Sequence, residues 1–270
     1  MNKHPVFPIN SIKGKSNLEI LILFIIIILA IGTISDKKLA KISAQQSLTY
    51  EQDKKLANFK LYHKKVLSTL GDSVTQGNTW QPYIINELGF AKHNNLGVSG
   101  SRVSGDAVNS MWKDDRIEKI PSDSDVIIFM GGTNDWSQNV ELGSVNSKNT
   151  NTFYGALNVF IDKLTAKFPN SKIIFMSTTF AKNTNRSVFH DKVGFVNNLN
   201  LRNIDYGLAI ENVADARHIT FINLTDLWNE TNISDYVSNE NEVFIHPNTK
   251  GGQKIAEAIV NSLGKEALGS

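Results

Sequence analysis

Residues Val66 to Asn78 read VLSTLGDSVTQGN. A short apolar run stops at Gly71, an acid and a hydroxyl follow at once as Asp72 and Ser73, and Gly77 lies just beyond. Similar brief runs recur at His93–Leu96, Val126–Met130 (VIIFM), Ile173–Met176 (IIFM) and Thr220–Leu224 (TFINL). Several carry β-branched or aromatic residues on both faces, as parallel strands covered on two sides require. Helical periods lie between them. In NTFYGALNVFIDKLTAKFPN the residues Phe153, Leu157, Phe160, Ile161, Leu164 and Phe168 form one stripe that Pro169 ends. The last helix, NTKGGQKIAEAIVNSLG, places Ile255, Ala256, Ile259, Val260 and Leu263 on one side, with Asn248 as its expected N-cap and Gly264 as its expected stop. This alternation predicts one α/β domain built on a five-stranded, mostly parallel sheet.

The chain has 270 residues, enough to bury a large core, with 20% charged residues and a net charge of +2. Nothing in that balance marks a nucleic-acid footprint, so no nucleic-acid partner is expected. Cysteine is absent, which removes disulfides, thiolate metal sites and cysteine nucleophiles. Upstream, Ile20 to Ile34 (ILILFIIIILAIGTI) is uncharged and follows Lys3, Lys13 and Lys15. As a helix it spans roughly 22 Å. Ala30 and Gly32 stand at the spacing of a signal-peptide cleavage site, so residues 1–34 are expected to be a signal or a membrane anchor, placing the remainder outside the cytoplasm. Residues 35–65 are polar and lysine-rich and read as a partly helical stalk, and residues 66–270 as the globular domain.

In open α/β sheets, ligands collect at the carboxyl ends of the strands. Ser73 lies just past such an end, where a serine is either a helix N-cap or a nucleophile. A nucleophilic serine needs a base. Of the six histidines, His246 stands apart: in VFIHPNTKGG it precedes the final helix, with Pro247 fixing the backbone beside it. An oxyanion site needs preorganised N–H donors. NNLGVSGSRV after the second strand offers the backbone of Gly97 and Gly100, and MGGTNDW after the third offers the side chain of Asn134. Each alone is an ordinary turn residue. Four rim segments that each bring a suitable group are harder to dismiss.

The blocks GDSVTQG, NLGVSG, GGTND and HPN, in this order, resemble those of the SGNH (GDSL-type) hydrolase family. The match runs from about Val66 to Leu263. The resemblance implies a flavodoxin-like three-layer α/β/α sandwich that hydrolyses esters without a metal or organic cofactor. It implies Ser73 as nucleophile, His246 as base, and the amides of Ser73 and Gly100 with the Asn134 side chain as oxyanion donors. G-x-S-x-G, the nucleophile signature of a different esterase fold, is absent, since Thr75 occupies its last position.

One position departs from the family pattern. The aspartate usual three residues before the histidine is replaced by Val243. Either Glu242, in NENEVFIH, orients the imidazole through a local bulge, or the site works as a Ser–His dyad; a degenerate site that only binds is a third reading. The rim loops Trp136–Asn151, Ser177–Lys192 and Trp228–Phe244 are long and rich in Asn, Ser and Thr, with Trp80, Trp112, Trp136 and Trp228 as expected stacking surfaces. They favour a short acyl group on a polar carrier such as an acetylated cell-envelope glycan. A lipid-directed esterase, lysophospholipase or thioesterase of the same fold, or a non-catalytic envelope binding protein, are the alternatives. Membrane association through the N-terminal segment is expected if that segment is retained.

Overall fold

The computed structural model describes residues 17–190 and 194–267. The chain divides into two units, Met1–Asp53 and Lys54–Ser270. In the first, every described residue is helical, and Asp36 to Asp53 are exposed along their whole length. The side chains of the apolar run at 20–34, Ile22 apart, lie outside the described residues, as do the lysines before it. Among the described residues, no helix is long and apolar enough to cross a membrane.

Helix α1 runs from Asn17 to Tyr62. There follow β1 (Val66–Gly71), α2 (Ser73–Gln76), α3 (Gln81–Leu88), β2 (Lys92–Gly97), α4 (Asp114–Ile117), β3 (Val126–Met130), α5 (Thr133–Ser137), α6 (Phe153–Lys167) and β4 (Lys172–Met176). Beyond them come β5 (Lys182–Asn183), β6 (Val188–His190), β7 (Gly194–Val196), α7 (Asn203–Ala216), β8 (Thr220–Ile222), α8 (Ile233–Tyr236), β9 (Val237–Asn239), β10 (Val243–Pro247) and α9 (Thr249–Ala267).

The five runs expected as strands are β1, β2, β3, β4 and β8, and they form one parallel sheet in the order β2-β1-β3-β4-β8. Burial on both faces explains the continuous apolar runs of the central strands β3 (VIIFM) and β4 (IIFM), while the edge strand β2 (KHNNLG) is polar and partly exposed. Ile127, Phe129 and Phe175 face a core shared with α6 and α7, while Val126, Ile128, Met130, Ile174 and Met176 face a second core shared with α3 and α9. The result is the expected three-layer α/β/α sandwich. In the register Gly71 lies beside both Gly97 and Met130, so the first three strands end at one level. The segments following β1, β2 and β3 therefore share a rim.

Two expectations at the edge of this unit are corrected. The compact unit begins at Lys54, upstream of the Val66 boundary, because the last turns of α1 are packed into it: Lys54, Asn58 and Tyr62 are buried. Tyr62 packs beside Phe90 in the second core, whereas Lys54 and Asn58 dock through polar contacts, which is why the stretch reads as a stalk. Lys54 Nζ donates to Asn261 Oδ1 at 3.2 Å and Asn58 Nδ2 to the Val260 carbonyl at 2.9 Å. Gly264 does not stop α9, which continues to Ala267. A Cβ there would sit 2.4 Å from Lys54 Cε and 2.9 Å from Asn58 Nδ2, so the glycine serves the close approach of α1. Asn248 caps α9 as expected, its Oδ1 accepting from the Gly251 N–H at 3.1 Å.

Candidate active site

The turn out of β1 places Ser73. Asp72 caps the short helix α2, its Oδ1 accepting from the Val74 N–H at 2.9 Å. Of the two roles open to Ser73, capping is thus taken by its neighbour, and Ser73 becomes the first helical residue. Its N–H belongs to the helix end that has no intrahelical acceptor. Its hydroxyl is turned toward the C-terminal hairpin.

That hairpin supplies the imidazole. β10 pairs antiparallel with β9 and with β5, Val243 lying opposite Asn183. His246 Nε2 lies 2.9 Å from Ser73 Oγ, and His246 Nδ1 lies 2.8 Å from Glu240 Oε1. An ionised carboxylate can only accept, so Nδ1 carries the proton and Nε2 presents its lone pair to the serine hydroxyl.

The carboxylate on the imidazole is therefore that of Glu240 and not that of Glu242. Asn241 and Glu242, both at positive φ (56° and 64°), form a two-residue hairpin turn closed by the Glu240–Val243 backbone pair. The chain reverses there, and Glu240 returns alongside His246. Glu242 is spent on the turn: its N–H donates to Asn239 Oδ1 at 2.8 Å and its carbonyl accepts from Thr184 Oγ1. Counting backwards along one strand misses an acid that arrives across a hairpin. Asn241, a residue at home in left-handed turns, was the available signal.

The residues expected as donors lie along the same cleft. Val98 to Ser101 form a turn closed by the Ser101 N–H to Val98 carbonyl bond, with Gly100 at φ +72 in its third position. Glycine takes that conformation with the least strain. Asn134, in α5, donates through Nδ2 to the Ser101 carbonyl at 3.1 Å, which holds its amide against the same turn. Among the described residues the N–H groups of Ser73 and Gly100 have no acceptor. Ser73, Gly100, Asn134 and His246 line one cleft of about 290 Å³. Ser137, Asn183, Asn185, Arg186 and Val243 complete much of its wall, so each of the three long polar loops contributes to it.

Two buried acids support the rim. Asp135 is fully buried and accepts from the N–H groups of Val103 (2.8 Å) and Ser104 (3.0 Å) and from Ser104 Oγ (2.6 Å). It ties the segment after Gly100 to the helix that carries Asn134. Burial pushes its carboxyl above the usual range, while these hydrogen bonds pull it down. Burial also raises Asp72, from 3.8 to about 6; the Val74 N–H opposes this, the Asp135 charge adds to it and His246 counters it. Asp135 was not foreseen as a site residue, since aspartate beside asparagine in a loop reads as turn chemistry.

The tryptophans do not form stacking surfaces. Trp80, Trp136 and Trp228 are core residues, with Trp136 Nε1 bonded to the Leu201 carbonyl and Trp228 Nε1 to the Phe180 carbonyl. Trp112 is half-buried beneath Lys113 and Lys163, its Nε1 donating to the Gly105 carbonyl.

Residues 69–254 match the GDSL-like Lipase/Acylhydrolase family. The chain belongs to that family. As a GDSL-type hydrolase it carries the serine, the two glycine-rich turns and the histidine at the four expected rim positions. No curated protein matches it in sequence. Among solved structures it is similar to a protein from Lactobacillus plantarum (26% identity, TM-score 0.65, covering 74% of this chain and 97% of that one). It shares its fold with a possible lipase from Chitinophaga pinensis (17%, TM-score 0.55, 76% and 98%). The same holds for a catalytic mutant of an acetylxylan esterase from Geobacillus stearothermophilus (19%, TM-score 0.52, 75% and 95%).

The raised pKa of Asp72 has a stability consequence. Below about pH 4 the group is protonated folded or unfolded; between there and about pH 6 the folded state holds the proton more tightly, so its contribution to stability is lost as pH rises through that window. In Asp72→Asn, which keeps the cap acceptor and removes the titration, unfolding free energy measured by denaturant should decline less between pH 4 and 7 than in the wild type. An unchanged slope would show that Asp72 titrates normally.

Proposed function

We propose that this GDSL-type hydrolase is a serine esterase that removes short acyl groups, acetyl foremost, from a polar glycan carrier outside the cytoplasm. The contact that carries the reading is the Ser73 Oγ to His246 Nε2 approach of 2.9 Å, with Glu240 on the opposite ring nitrogen. Ser73 Oγ attacks the ester carbonyl carbon as its proton passes to His246 Nε2. The amides of Ser73 and Gly100 and the Asn134 side chain donate to the resulting oxyanion. His246 then returns the proton to the leaving alcohol, and water repeats the sequence on the acyl-enzyme. Glu240 keeps the imidazole in the required tautomer and stabilises its cation. Because the Glu240 side chain is 51% exposed, water screens that charge, and its share of catalysis is smaller than that of a buried acid.

The cleft walls support the substrate class. Val243 and Ile245 are the aliphatic residues among its described lining, beside Gly100, His246, hydroxyls, amides and Arg186. An acetyl methyl finds sufficient apolar contact there; a long acyl chain would lie against polar groups that lose their water without replacement. The occurrence of an acetylxylan esterase on the same fold is consistent with this. The apolar run at 20–34, as retained anchor or removed leader, supports the extracytoplasmic location.

Three outcomes are expected. A fluorophosphonate probe labels the native protein and not Ser73→Ala, while His246→Ala lowers kcat/KM on p-nitrophenyl acetate about 10³-fold or more; labelling that survives Ser73→Ala would remove the nucleophile assignment. Glu240→Gln lowers kcat/KM about 10²-fold and Glu242→Gln changes it less than about twofold, the reverse order restoring the acid to the hairpin tip. Across p-nitrophenyl esters from acetate to octanoate, kcat/KM falls with chain length; a rise would reassign the enzyme to lipid esters.

A further inference from the structure

We propose that the cleft at Ser73 continues into a second polar cleft that holds the carrier of the ester. At their junction, Arg186 selects carriers bearing an anionic group, a carboxylate or a phosphate. This rests on the esterase reading and names the chemistry of the leaving-group side.

The second cleft, of about 420 Å³, shares Ser137, Asn185 and Arg186 with the first. Val188 is the one apolar residue of its lining. Among the described residues the side chains of Gln138, Asn185 and Asn198 make no hydrogen bond, so three amides stand ready both to donate and to accept. That pairing suits a hydroxyl-rich chain and offers no wall to an acyl tail or an apolar peptide side chain.

The charge distribution gives the second element. Among the described residues of both linings, Arg186 is the sole Lys, Arg, Asp or Glu. The described arginine ion pairs are Arg202–Asp205 and Arg217–Asp162; Arg186 has none. Its backbone is tied to the strand beside the catalytic-site hairpin. The Arg186 N–H and the Ser187 hydroxyl both donate to the Asn183 carbonyl, and Asn183 is buried against Val243 on the strand that carries His246. A guanidinium with no ion pair among the described residues attracts and orients an anion, and its planar fork matches a carboxylate or phosphate.

The full-length protein is tested for acetate release from acetylated polygalacturonate, acetylated poly(glycerol phosphate) and neutral acetylated xylan. The wild type favours at least one anionic polymer, and which one identifies the anion. In Arg186→Gln the ratio of kcat/KM for the favoured anionic polymer to that for xylan falls about tenfold, and Arg186→Lys restores part of it. Because this is a ratio, it does not depend on the fraction of protein folded. Raising salt from about 0.05 M to about 0.5 M lowers the wild-type ratio in the same direction. Acetate release with a ratio indifferent to Arg186, or a wild-type preference for xylan, overturns this inference alone. Absence of both acetate release and fluorophosphonate labelling in the wild type overturns the esterase reading and this inference with it.

Discussion

The hydrogen bond between Ser73 and His246 joins positions 173 residues apart, and every chemical property of the rim depends on its being made. Neither partner can reach the other by local structure. Ser73 is held by the end of β1, whose register with β2 and β3 fixes the level of the rim. His246 is held by a separate three-stranded sheet, β5-β10-β9, reached through the loops that follow β4 and β8. The central sheet therefore sets where the serine lies, and the small sheet sets the imidazole's height and angle above it.

Holding that contact places charge where burial penalises it. Asp72 and Asp135 are both buried under the rim, and the Arg116 guanidinium, also buried, donates to the Gly71 and Leu96 carbonyls at the ends of β1 and β2. Each is hydrogen-bonded to backbone groups of the turns and strand ends, and these bonds offset part of the desolvation cost while fixing loop geometry. A hydrophobic core at these positions would be more stable and would leave the turns after β1 and β2 unconstrained. Asp72 illustrates the compromise: burial dominates and raises its pKa, while its hydrogen bond to Val74 keeps the cap that frees the Ser73 hydroxyl.

The sheet was legible because parallel strands buried on both faces leave uninterrupted apolar runs, and VIIFM needs no partner to be recognised as one. Ser73, Gly100, Asn134 and His246 were legible for a related reason: the carboxyl ends of such strands share an edge, so groups just beyond them meet. What could not be read depends on contacts across chain reversals. Glu240 reaches His246 through a two-residue turn whose register cannot be counted along one strand. Lys54 and Asn58 dock through hydrogen bonds and a glycine, with no apolar stripe to announce them. The tryptophans misled because a polar flanking sequence says nothing of whether an indole faces in or out. Trp136 lies between Asp135 and Ser137 in α5, and the turn of that helix carries it into the core.

The burial of those indoles bears on specificity. Glycan sites commonly gain affinity by laying a sugar face on an exposed aromatic ring, and this cleft has no such ring among its lining residues. Recognition must then come from directional hydrogen bonds and from charge. Hydrogen bonds exchanged with water yield little net affinity individually, so a groove of amides alone binds a neutral chain weakly. A cation with no ion pair among the described residues changes that balance, because its attraction for an anion acts over a distance, before contact is made, and its forked donors then add charge-assisted hydrogen bonds. On the proposed reading, the absence of a stacking platform and the presence of Arg186 are parts of one arrangement, in which a charged carrier is drawn in by its anion and aligned by the amides beside it.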